Sequence, residues 1–117
     1  MEYSEKEFFD FEKSTSLLLN SVVKYLFIEL KNNLYNATII FTFPFRKDYQ
    51  NLEIYIQQIE AININQTRQS IGQQIHSYKF LVHNENYYLS LDPDESSEQL
   101  TEGDQDFFLF RKLTAFL

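Results

Sequence analysis

Between residues 36 and 45, apolar side chains recur at every second position: Ala37, Ile39, Phe41, Phe43 and Phe45 alternate with Thr38, Ile40, Thr42 and Pro44. A period of two puts all five on one side of an extended chain, and a side so rich in Phe has to be covered. This predicts a strand over 37–45, with Pro44 marking its end or an edge position, because Pro cannot donate to a ladder. The period returns at Leu52, Ile54 and Ile56, against Glu53, Tyr55 and Gln57. Past Gln58 it slips, with Ile59 and Ala61 in one phase and Ile62 and Ile64 in the other, as a bulge or short break would produce. A second strand is therefore expected over 52–64.

The polar stretch 65–74 carries no usable period. Tyr78, Phe80 and Val82 then alternate with Ser77, Lys79 and Leu81, and His83-Asn84-Glu85-Asn86 turns the chain into Tyr87-Tyr88-Leu89-Ser90-Leu91. That reads as a hairpin of strands over 75–82 and 87–92. The final run has Phe107, Leu109 and Leu113 in one phase and Phe108, Phe110 and Phe116 in the other, so a strand over 107–116 needs cover on both faces.

Ahead of the strands, Ser4 and Glu7 match a capping box, which starts a helix near Glu5. Steps of 100° gather Phe8, Phe11, Leu18, Leu19, Val22, Val23, Tyr25, Leu26 and Leu30 into one broad stripe, with Asp10, Lys13, Lys24 and Lys31 opposite. A helix over 5–32 is expected, in one piece or in two if Ser14-Thr15-Ser16 caps the first, and Asn32-Asn33 ends it. Phe9, Leu17, Phe27 and Ile28 fall off the stripe, which suggests a second buried side and a homodimer through the N-terminal helix. The order predicts an α+β fold: one domain over 1–117, with the helix packed on an antiparallel meander of about five strands.

Twelve Phe and eight Tyr in 117 residues are too much apolar surface for a disordered chain. Without Cys there are no disulfides, no thiolate metal centre and no thiol catalysis, and two His cannot make a His-rich metal site. No cofactor is expected. The first residues lack the basic start and cleavage site of a secretory leader, and the run 17–30 is interrupted by Asn20, Ser21, Lys24 and Glu29. A cytoplasmic protein without a membrane partner is the expectation.

The net charge of −7 has a single source. Residues 92–106 hold Asp92, Asp94, Glu95, Glu98, Glu102, Asp104 and Asp106 and no basic residue, while the other ten acids balance the ten Lys and Arg. Such a segment is either a solvated loop or a surface for a basic partner. Asp92, Asp94 and Ser96 follow the opening spacing of a calcium-binding EF-hand loop. Ser97 then stands where Gly is required and Gly103 where a bidentate Glu is required, so the match fails.

His76 and His83 are seven apart and would face opposite sides of one strand, which suits surface or turn positions. With two Gly in the chain there is little scope for a phosphate-cradling loop, and Arg46-Lys47 and Arg111-Lys112 are isolated pairs, so nucleic acid is not an expected partner. The profile is that of a small acidic protein-binding module, most like an inhibitor of the toxin-immunity type that neutralises a basic partner such as a nuclease. The expected contacts are the seven acids of 92–106, with Tyr87 and Tyr88 as aromatic anchors. The alternative is an apolar pocket between helix and sheet, serving a small-molecule-binding domain or a simple acid–base enzyme.

Overall fold

The structure is a computed structural model that describes residues 1–64, 72 and 74–117. The polar 65–74 stretch thus lies outside the described residues except for Gly72 and Gln74. The elements run β1 (Glu2–Ser4), α1 (Glu5–Thr15), β2 (Val22–Lys31), β3 (Leu34–Thr42), β4 (Asn51–Asn63), β5 (Lys79–His83), β6 (Asn86–Asp92) and β7 (Gln105–Phe116). One helix and seven described strands make a mostly-β antiparallel fold rather than a five-stranded one.

The helix begins where the capping box places it. The Glu7 carboxylate accepts the Ser4 backbone N–H at 2.9 Å and the Ser4 hydroxyl at 2.8 Å. It ends early, at Thr15, because Ser16 turns left-handed (φ 51°) and donates its N–H to the Glu12 carbonyl. A second left-handed residue, Asn20 (φ 66°), closes the turn that buries Leu17 and Leu18. Residues 22–31, expected to be helical, are instead the ten-residue strand β2. The run is dense enough in apolar residues to satisfy both periods, and its Val, Tyr, Phe and Ile content suits a pleated surface better than a helix. Asn32-Asn33, read as a helix end, is the two-residue hairpin loop between Lys31 and Leu34, with both φ positive (53° and 63°) as a type I′ turn demands.

The sheet order is β2-β3-β4-β7-β6-β5, with β1 pairing the end of β7. This is not one meander but two of three strands, β2-β3-β4 and β5-β6-β7, joined where β4 pairs β7. The register of that seam shifts between Ile59 and Ala61, where the sequence period slips, and Gln58 has φ 54°. Hydrogen bonds from the Gly72 and Ile75 amides to the Val23 and Ser21 carbonyls, and from the Asn20 amide to the Ile75 carbonyl, tie the segment before β5 to the start of β2.

One sheet face turns inward. Ile39, Phe41, Ile54, Ile56, Leu113, Phe110, Phe108, Leu89 and Phe80 pack there under Phe8, Leu17 and Leu18, all essentially fully buried. Phe8 and Phe9 reach Phe80 with ring centres 5.9 and 4.9 Å apart. Each such ring contributes roughly 1.5–3 kcal/mol by leaving water. No described helix is long and apolar enough to cross a membrane.

Candidate functional site

β6 and β7 pair as far as Asp92 and Gln105, so the acidic segment between them, 93–104, is a loop with adjacent ends, an Ω-loop. Its anchor is Asp104, which is 1% exposed and stands at the loop's base. One carboxylate oxygen accepts the Lys79 ammonium at 2.7 Å, the Asp94 amide at 2.8 Å and the Thr101 hydroxyl at 3.3 Å. The other accepts the Tyr88 hydroxyl at 2.8 Å and the Thr101 amide at 3.1 Å. Lys79, 6% exposed, also donates to the Gln99 carbonyl at 2.6 Å.

The electrostatics follow from this geometry. Burial alone would push the Asp104 carboxyl up. The bonds from Lys79, the Thr101 and Asp94 amides and Tyr88 outweigh it and hold the group down at about 2. The same arrangement pushes the Tyr88 phenol well above its ordinary value, first by burial and then by the anionic Asp104 beside it. Within the loop, the Asp94 carboxylate accepts both the hydroxyl and the amide of Ser96, at 2.7 and 3.0 Å, which lowers its pKa. Ser96 therefore closes a local turn. Among the described residues, no three His, Asp or Glu side chains gather as a metal would require.

These facts divide the expected contact residues. Asp104 and Asp106 are buried, and Tyr88, at 1% exposure, lies beneath the loop against Phe107, so none of the three is presented to a partner. Tyr87, the next residue along β6, points to the opposite face, half-buried, stacked on Phe110 and next to Phe9. It is part of the helix-side packing rather than an anchor beside the loop. Asp92 and Asp94 are half-buried at the loop's start, whereas Glu95, Glu98 and Glu102 are exposed. Glu95 and Glu98 border a surface groove of about 410 Å³ whose other walls include Lys13, Tyr78, Phe80 and Leu81. His76 and His83 are both exposed.

Lys79, the buried partner of Asp104, is a candidate that residue patterns alone do not single out. Its only signal was a cation in the outward phase of a strand, and its partner lies 25 residues away. A further buried acid, Glu12, accepts the Leu18 amide at 3.0 Å and the Tyr78 hydroxyl at 3.0 and 2.8 Å. It ties the end of α1 to the following turn and to the approach of β5, and burial raises its pKa against these bonds. With the geometry in view, comparison with protein-family models, curated proteins and solved structures gives no match.

Proposed function

We propose that the chain is an acidic protein-binding module whose contact surface for a basic partner is the ridge Glu95, Glu98 and Glu102. The observation that carries this reading is the Asp104–Lys79 pair beneath the ridge. A loop that only kept the domain soluble would need no buried ion pair and no five-bond anchor. A loop held in one shape presents its carboxylates without paying an ordering cost when it binds. The acids on the ridge attract a cationic surface from a distance, and the neighbouring groove with the half-buried Tyr78 and Leu81 supplies apolar area at contact. An inhibitor of the toxin-immunity type, covering the basic substrate groove of a nuclease, is the biological role that fits this chemistry.

The test is capture of partners from the source cells on the immobilised protein at low salt, followed by a salt gradient and mass spectrometry. The control is the Glu95→Gln/Glu98→Gln/Glu102→Gln variant. A basic protein released by salt and missing from the control supports the ridge as the contact surface. Its association rate with the variant should fall by about tenfold or more at low salt and converge with wild type at high salt. Equal retention on both columns would refute the assignment.

A further inference from the structure

β5 stands at one end of the sheet order, and its outer edge takes no backbone bond from any described residue. The contacts that Gly72 and Gln74 make lie at β2, the opposite end of that order. Register shows which groups the β5 edge presents. Asn84 and Glu85, both at positive φ (49° and 69°), form the two-residue turn of the β5-β6 hairpin, flanked by the pair His83 and Asn86. Residues flanking such a turn exchange both ladder bonds, and bonded pairs recur at every second position, here Leu81 with Tyr88 and Lys79 with Ser90. Phe80 and Val82 therefore aim their N–H and C=O groups away from β6.

Open space follows this edge. The groove of about 410 Å³ is lined by five consecutive residues, Ser77, Tyr78, Lys79, Phe80 and Leu81. Successive side chains of an extended chain point to opposite faces, so a single groove meets five in a row by running along the backbone edge. Its two sides differ in charge. Leu81 shares a face with Tyr88 and the acidic loop, and on that side the exposed carboxylates of Glu95 and Glu98 form the wall. Lys79 lies on the same face, but its charge is matched by Asp104 at 2.7 Å. Phe80 faces α1, and on that side the wall is the exposed Lys13, held 5.3 Å over the Phe9 ring.

We infer that the basic partner contributes an extended segment that pairs with the outer edge of β5 as an added strand, with Lys or Arg at alternate positions beside Glu95 and Glu98. The positions between, facing Phe80, Val82 and Lys13, take apolar or acidic side chains. Main-chain bonds to Phe80 and Val82 supply affinity, and the alternation supplies specificity. β5 has five residues and spans about 17 Å, which suits a segment of similar length, and an edge this short limits pairing between whole sheets. The inference rests on the acidic ridge proposed above and gives its partner a sequence pattern.

The test is titration with a blocked heptapeptide of alternating Lys and Val, followed by NMR shifts and amide exchange. At saturation the Phe80 and Val82 amides should gain protection. N-methylation of the peptide's valines removes the N–H groups that face β5 and keeps every charge, so binding should weaken about tenfold or more. Glu95→Gln/Glu98→Gln should weaken the parent peptide about threefold or more at low salt. Binding that survives N-methylation without new protection at Phe80 and Val82 would overturn the added strand and leave the ridge standing. Protection at both amides that is indifferent to the two glutamines would instead overturn the ridge and with it the charge pattern. Absence of peptide binding at millimolar concentration would overturn the inference, and partner capture would still judge the ridge. Protection of both amides in the free protein that grows with protein concentration would assign the edge to a second copy and overturn it equally.

Discussion

Replacing Asp104 with Asn keeps the side chain's shape and removes its charge while leaving Lys79 where it is. The ammonium, 6% exposed, then keeps only the Gln99 carbonyl, and the new amide must put its NH₂ against either Lys79 or the groups that donate to Asp104. Breaking a buried pair by removing one partner costs about 3–5 kcal/mol. At a domain of this size roughly 4 °C is lost per kcal/mol, so the melting temperature should fall by roughly 12–20 °C. The same charge governs the acid limb. A folded-state pKa of about 2, below the ordinary carboxyl value of 3.8, means that the charged form stabilises the fold above pH 4. That stability, about 2 kcal/mol, is lost as pH falls from about 4 through about 2. The variant should be less steep there than wild type, the remaining slope coming from other lowered carboxyls such as Asp94. Urea melts followed by circular dichroism at several pH values measure both effects. Adding Lys79→Met removes the stranded cation and should recover at least half of the loss. A single-variant cost below about 1 kcal/mol would mean that water screens the pair, and the buried staple would be refuted.

The glutamines at positions 95, 98 and 102 should leave stability within about 0.5 kcal/mol of wild type, because the native carboxylates there are exposed; thermal melts check this. Gly103→Ala should destabilise by about 1–3 kcal/mol in urea melts, since the added methyl would sit 2.8 Å from Asp94 Oδ2 and 3.1 Å from Asp94 Cβ and disturb the turn to Ser96. Glu12 has the opposite linkage to Asp104: its raised pKa favours the fold below the ordinary carboxyl value and loses that contribution as pH rises through the folded value. Glu12→Gln should therefore flatten the stability curve just above pH 4.5, measured by melts across that interval. Asn33→Val should cost about 1–2 kcal/mol, because a β-branched residue resists the left-handed turn, while Asn33→Gly should cost nothing or stabilise.

Residue patterns were enough for the local decisions. Period-two alternation marked β3, β4, the β5-β6 hairpin and β7, since one buried face requires it. The capping box marked the start of α1, and the charge count isolated the acidic loop. Three things needed the tertiary structure. The run 17–31 is so apolar that it satisfies a helical stripe and a strand equally, and the Ser16 turn together with pairing to β3 decided between them. The β4–β7 seam joins strands far apart in the chain, and periodicity says nothing about which strand lies beside which. Finally, an acid's letter does not reveal its burial. Asp104 and Glu95 look alike in the sequence, but only Asp104 lies over Lys79 and Tyr88, where five hydrogen bonds make a buried charge stable and so turn a run of seven acids into an anchor with an exposed ridge.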